Sequence, residues 1–122
     1  MLQAYSTAAT FAANAAVPFA NVKVQKGCTA ALEGPGTIAL NKCGVYCVDC
    51  DAEPAASTTI QLYRDGVAQP ETERTGTELH FKTLIQVDKN NTNCCCSSPV
   101  RLQVINTTAT TGLINVVVTK IC

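Results

Sequence analysis

Cysteine is the residue type in this sequence with the most chemistry to offer, because the chain of 122 residues contains eight of them. A thiol can ligate a metal ion, form a disulfide bond, act as a nucleophile or fill space in a core. This cysteine content is high for a protein of a reducing compartment. The thiols belong to Cys28, Cys43, Cys47, Cys50, Cys94, Cys95, Cys96 and Cys122.

Zinc ligation is one interpretation, because part of the set has the spacing C-x3-C-x2-C and a distal thiolate would complete four sulfur ligands. The stretch from Cys47 to Cys50 is predicted to be a strand, however, and side chains three apart on a strand point to opposite faces. Cys43 would lie about 13 Å from Cys47 in a regular strand, too far for one ion unless the chain bends at Gly44. The zinc candidates are Cys43, Cys47, Cys50, Cys94 and Cys96.

Disulfide bonds are a second interpretation, since the count is even and one bridge between distant segments stabilises a fold by about 2–4 kcal/mol. Packing is a third, because cysteine is a small and well-buried apolar residue. A reactive redox centre is not favoured, because no basic residue lies within four positions before the 94–96 run, and Arg101 lies five positions after it. The sequence leaves bridges and packing open. The disulfide candidates are Cys28, Cys43, Cys47, Cys94, Cys95, Cys96 and Cys122.

Acid–base chemistry has little to build on in this sequence. The sole histidine, His80, falls on the polar side of its predicted strand, which is typical of a solvated surface residue. Asp49, Asp51 and Glu53 crowd one stretch and would at most bind Ca²⁺ weakly, because the ligand spacing of an EF-hand loop is absent. A glycine-rich phosphate loop is also missing from the sequence. We therefore expect a protein that is not an enzyme and that needs no cofactor.

The composition describes a neutral globular chain, with 47% hydrophobic residues, 15% charged residues and a formal net charge of zero. Neutrality argues against nucleic acid or an anionic membrane as a partner. No run approaches the roughly 20 apolar residues of a spanning helix. The first residues lack the basic region of a secretion signal, so we expect folding and assembly in a bacterial cytoplasm. We expect one domain over residues 1–122.

Alternating apolar and polar residues predict β-strands along most of the chain. Residues 79–87 alternate with one interruption, at Thr83–Leu84, and "VRLQVIN" repeats the pattern. The last run, "GLINVVVTKIC", is apolar on both sides. One side is predicted to pack in the core of the chain and the other side against a second surface. Short strands spaced by roughly 8–12 residues predict an all-β antiparallel sandwich. We expect an extended strand over residues 11–24, with residues 1–10 as an N-terminal arm.

Gly44, Tyr46, Val48 and Cys50 alternate along one predicted strand. This pattern resembles the glycine–tyrosine strand of jelly-roll domains of the C1q and tumour-necrosis-factor type, which also end collagen-like exosporium proteins of Bacillus. "TIQLYRDGVAQPETE" is similar to the hairpin that follows in that group, "GLINVVVTKI" to its closing strand and "AANAAVPFANV" to its first strand. The cysteine cluster before "SPVRLQV" is similar to that of small virion proteins of Firmicutes phages.

The resemblance implies a jelly-roll homotrimer that serves as a surface or fibre module. We expect a structural virion protein that binds its own copies and other virion or surface proteins. The last strand needs a second cover, which either a subunit interface at Ile114, Val116 and Val118 or another part of the monomer would provide. The alternative function is a head domain of a fibre or spore coat, on a spore or cell surface, whose loop at residues 65–76 binds a host glycan or receptor.

Overall fold

The structure is a computed structural model that describes residues 1–27, 29–87 and 99–121. Strands make up most of this part of the chain, and none of its segments is a helix long and apolar enough to cross a bilayer. A short 3-10 helix covers Pro70–Thr72. The strands are β1 (Leu2–Phe11), β2 (Ala15–Ala16), β3 (Asn21–Gln25), β4 (Ala30–Leu32), β5 (Ile38–Leu40), β6 (Gly44–Pro54), β7 (Thr58–Arg64), β8 (Val67–Ala68), β9 (Arg74–Gly76), β10 (Leu79–Val87), β11 (Val100–Asn106) and β12 (Thr110–Lys120).

Two antiparallel sheets form the fold, and the chain crosses between them repeatedly. The first is a five-stranded sheet with the order β10-β6-β12-β1-β3. The second is a seven-stranded sheet with the order β4-β5-β11-β7-β8, in which β2 also pairs with β11 and β9 with β7. This arrangement confirms the predicted all-β antiparallel sandwich.

The core lies between the sheets and is built from alternate residues of each strand, as the side-chain period of a β-strand requires. Strand β10 shows the rule and its exception. Phe81 and Ile85 point inward and are buried, and Thr83 takes the inward position between them. Leu84 takes an outward position and is 60% exposed. The interruption that the sequence shows at Thr83–Leu84 therefore marks a polar residue in the core and an apolar residue on the surface.

The prediction for the N-terminal segment was wrong in two respects. Residues 1–10 are not an arm, because β1 lies between β12 and β3 in the five-stranded sheet. Its inward side chains are buried in the core, with the small residues Ala4, Ser6 and Ala9 between Leu2 and Phe11. Residues 11–24 are not one strand either, because the chain turns at Asn14, whose φ of 56° is left-handed. The short strand β2 joins the other sheet directly after this turn.

Asn106 is a fully buried polar residue at the end of the sandwich where three connections pass from one sheet to the other. Its amide nitrogen lies 3.2 Å from the carbonyl oxygen of Phe11, at the crossing from β1 to β2, and 2.7 Å from that of Thr108, between β11 and β12. Its amide oxygen accepts a hydrogen bond from the hydroxyl of Thr58, where the chain enters β7 from β6. One side chain thus ties all three crossings together.

Replacing Asn106 with alanine is expected to lower the free energy of unfolding by about 3 kcal/mol, because it leaves several buried polar groups without partners. Urea denaturation followed by circular dichroism measures the change. Asn21→Ala is the matched control, since Asn21 lies exposed on β3, and surface substitutions usually change stability by about 0.5 kcal/mol or less. Equal losses in the two variants would contradict the role given to Asn106.

Candidate functional site

The face of the five-stranded sheet that points away from the second sheet is the candidate interaction surface, and we call it the open face. Its side chains are exposed or half-buried, while their neighbours along β1, β6, β10 and β12 are mostly buried in the core. Strand pairing arranges the open-face residues in rows across β10, β6, β12 and β1. One row contains His80, Asp51, Asn115 and Tyr5, and the next contains Lys82, Asp49, Val117 and Gln3.

Charge is unevenly divided over the open face. Carboxylates, His80 and Lys82 stand on β6 and β10, and Lys23 stands on β3 at the opposite edge, whereas β1 and β12 present an uncharged stripe along the middle of the sheet. Within the stripe, the Gln3 side-chain amide donates a hydrogen bond of 3.0 Å to Asn115 Oδ1 and fixes both residues. The uncharged stripe consists of Gln3, Tyr5, Leu113, Asn115, Val117 and Thr119.

A cluster of two carboxylates and one imidazole stands on the charged half, and we call it the Asp–His cluster. His80 Nε2 lies 2.9 Å from Asp49 Oδ1 and 3.8 Å from Asp51 Oδ1. The three side chains present ligand atoms that all lie within 4.8 Å of one another. His80 is directly opposite Asp51 in the register of β10 and β6, and Asp49 is its diagonal neighbour. The cluster is the mixed nitrogen and oxygen set that a divalent metal ion accepts.

Apolar side chains gather at one end of the open face. Four of the five exposed large hydrophobic residues in the described ranges belong to the five-stranded sheet or to its ends. Leu84 is paired with Cys47, and the Ile121 amide donates a hydrogen bond to the carbonyl oxygen of Val45. We call this group the terminal patch. It comprises Met1, Val45, Cys47, Leu84 and Ile121.

The residues predicted as a subunit interface do not lie on the open face. Ile114, Val116 and Val118 point inward and are fully buried in the core of the single chain. Their side chains are therefore not available to a second copy. The physical reason is the period of the strand: the neighbouring positions, such as Val117, carry the outward side chains. The other sheet of the same monomer covers these three residues, whereas the outward residues of the strand, including Leu113 and Val117, remain on the open face.

The cysteines within the described ranges do not converge on one site. Cys47 and Cys50 carry free thiols on opposite faces of β6, half-buried and fully buried respectively, so both cannot ligate one ion. Cys43 is disulfide-bonded, and neither of those two thiols is its partner. The other cysteine candidates lie outside the described residues. They are Cys28, Cys94, Cys95, Cys96 and Cys122.

The loop at residues 65–76, proposed from the sequence as a ligand-binding alternative, is held by its own hydrogen bonds. The hydroxyl of the buried Thr72 accepts a hydrogen bond of 2.8 Å from the Leu62 amide and donates one of 2.7 Å to the Gln69 carbonyl. Arg74 Nε donates to the His80 carbonyl at 3.0 Å. Val67, at the tip, is 64% exposed. The loop projects from the seven-stranded sheet, and Arg74 joins it to the backbone of β10 at His80.

These two sheets and their connections define the class of the protein, an antiparallel jelly-roll β-sandwich, and known structures share the fold. Rabbit GITRL is 12% identical over 93% of this chain and 94% of its own, with a TM-score of 0.55. Pika GITRL is 8% identical over 96% of this chain and 100% of its own, with a TM-score of 0.53. The predicted jelly roll of the tumour-necrosis-factor type is confirmed. No family model and no curated protein matches the sequence.

Sequence reasoning missed the open face as a whole and the meeting of His80 with the aspartates. The alternation of Asp49 and Asp51 on one predicted strand was a usable signal, because residues two apart share a face. The register that brings His80 to them connects strands about thirty positions apart. A local pattern does not contain that register, so only the pairing of β6 with β10 shows the cluster.

Alkylation with iodoacetamide at about pH 8 is expected to label Cys47 in the folded protein and to leave Cys50 unlabelled until the protein is unfolded. Burial raises the pKa of the Cys50 thiol strongly, and the neighbouring negative charges of Asp51 and Asp49 raise it further. The thiolate is the reactive form. Peptide mapping by mass spectrometry, with and without urea, measures both sites. Rapid labelling of Cys50 in the folded protein would contradict its position in the core.

Proposed function

We propose that this protein is a structural module without enzymatic activity, and that three copies assemble through the open face into a homotrimer on the surface of a virion. The observation that carries the proposal is the coincidence of the terminal patch and the uncharged stripe on one face. An exposed apolar area next to an uncharged surface is typical of a protein–protein interface.

The dimensions of the open face suit a stable interface. The strands β10, β6, β12, β1 and β3 have 9, 11, 11, 10 and 5 residues, which at about 3.3 Å per residue and 4.8 Å between strands gives an area of roughly 730 Å². A standard interface buries about 800 Å² on each partner. Burying Leu84, which is 60% exposed, would contribute about 1–2 kcal/mol per copy.

Charge does not oppose the association of identical copies. The formal net charge is zero, so copies approach without long-range repulsion. The charged residues of the open face stand on both sides of the uncharged stripe, mostly on β6 and β10, with Lys23 on β3. In a cyclic assembly they would form a polar rim around an apolar and uncharged centre, as the anatomy of natural interfaces favours. The number three follows the resemblance to C1q and tumour-necrosis-factor domains.

The absence of enzymatic activity is the simplest account of the titratable groups that the structure describes. His80, the sole histidine, pairs with Asp49 and Asp51 and not with a hydroxyl or thiol nucleophile. The Cys50 thiol is buried and its pKa is raised, which keeps it protonated and unreactive. Nucleophilic catalysis requires a nucleophile within hydrogen-bond reach of a base, and these groups do not meet that requirement.

Leu84→Lys is expected to convert the trimer to a monomer, because it would place one ammonium group in the apolar terminal patch of each of the three copies. Light scattering at micromolar concentration should give three times the chain mass of 12.8 kDa for the unchanged protein and once that mass for the variant. Val67→Lys is the matched control: Val67 is 64% exposed on the other sheet, and its replacement should leave the trimer intact. A monomeric unchanged protein would overturn the proposal.

Location on a particle is supported by the resemblance around "SPVRLQV" to small phage virion proteins, and it needs a separate test. Proteomic analysis of purified virions should detect the protein in a fixed ratio to the major capsid protein, and gold-labelled antibodies should bind intact particles. Detection only in the soluble fraction of lysed cells would contradict this location. Attachment of the purified protein to host cells or glycans would instead favour the alternative, a receptor-binding head.

A further inference from the structure

The Asp–His cluster is a set of potential ligands that the structural role proposed above does not use. It combines an imidazole with two carboxylates on neighbouring strands, and this combination is different from a purely acidic surface group. Imidazole is the nitrogen ligand that first-row transition metals prefer, and carboxylates widen the choice to harder ions such as Mn²⁺. We infer that Asp49, Asp51 and His80 form a binding site for one divalent transition-metal ion.

The distances within the cluster suit a common ion. Bonds of about 2.1 Å from one metal hold neighbouring ligand atoms roughly 3.0–3.4 Å apart in octahedral or tetrahedral geometry. The 2.9 Å and 3.8 Å separations from His80 Nε2 to Asp49 and Asp51 lie on either side of that range. Small rotations of exposed side chains are therefore enough to place the three atoms around one ion, with the remaining positions open to water or to another ligand.

The backbone that carries the cluster is held on several sides. Strand β6 pairs with β10 on one side and with β12 on the other, so Asp49 and Asp51 stand on an interior strand of the sheet. The His80 carbonyl accepts a hydrogen bond from Arg74 Nε at 3.0 Å, which fixes β10 next to the loop. A site whose ligands stand on paired strands loses little conformational entropy when an ion binds.

The charges around the cluster favour a cation. A shallow depression beside His80 is also lined by Glu53, Glu78 and Asn115. Two basic side chains lie nearby: Lys82, opposite Asp49, and Arg74, which donates to the His80 carbonyl. The carboxylates of Asp49, Asp51, Glu53 and Glu78 outnumber these two cations. Their excess attracts a dication, and its charge relieves the mutual repulsion of carboxylates that stand on one strand.

The single histidine of the chain permits a test that thiols do not disturb. Zinc is titrated into the whole protein while the imidazole ring protons of His80 are followed by NMR. Zinc bound to cysteines elsewhere does not shift that signal, so saturation of the shift reports the cluster alone. We expect one site per chain, and we expect Mn²⁺, a hard ion with little affinity for thiols, to broaden the same signal.

Asp49→Asn and Asp51→Asn should each raise the zinc concentration at half-saturation of the His80 shift by about tenfold, because an amide is a poorer ligand than a carboxylate. Glu33→Gln is the matched control, since Glu33 is an exposed carboxylate paired with Arg101 on the other sheet, and it should leave the titration unchanged. No shift of the His80 signal at millimolar zinc would overturn the inference. An unchanged shift in both aspartate variants would also overturn it, because the imidazole would then bind zinc alone.

This inference goes beyond the proposed assembly and does not depend on it. The ligands stand on β6 and β10, whereas the uncharged stripe stands on β1 and β12. The same titration on Leu84→Lys separates the two ideas. Binding should persist in that variant whether or not the variant is monomeric. Loss of binding together with loss of the trimer would show that the cluster on one chain is not itself the site, and would overturn the inference as stated.

Discussion

The amide of Asn106 is the interaction on which the sandwich most depends, because three passages between the sheets meet at its side chain. A buried amide satisfied by a hydroxyl and by backbone carbonyls gives directional contacts that apolar packing does not give. The hydrogen bonds at Asn106 fit one alignment of these passages, the one in which Ala4 of β1, Val48 of β6 and Val116 of β12 point inward.

The division of β6 and β12 into two kinds of surface follows from that alignment. Inward residues such as Val48 and Val116 complete the core of one chain, and outward residues such as Asp49 and Val117 form the open face. A shift by one residue would exchange the two sets completely. The core and the open face are therefore not independent properties, since the same register that buries one set presents the other.

Strand identity and fold class could be predicted from the sequence, because they depend on local alternation and turn residues. The alternation of residues 79–87 predicted β10 with its irregular Thr83–Leu84 pair. The interface prediction was wrong at Ile114, Val116 and Val118. When the residues on both faces of a strand are apolar, the sequence does not reveal which face points to the core. Strand β1 was missed since its inward positions are largely alanine and serine, which give a weak hydrophobic signal. The Asp–His cluster needs a register between distant strands, which no local pattern contains.

Strand β12 lies between β1 and β6, although it follows all the other strands that the structure describes in the order of synthesis. Until it emerges from the ribosome, the two strands that it joins have exposed backbone edges and the sheet remains in two separate parts. Sheets that depend on pairing between distant segments form slowly and are vulnerable to edge-to-edge aggregation. Nascent chains of this protein must therefore stay incompletely folded until β12 has been synthesised, and this strand then completes the sheet by insertion at its centre.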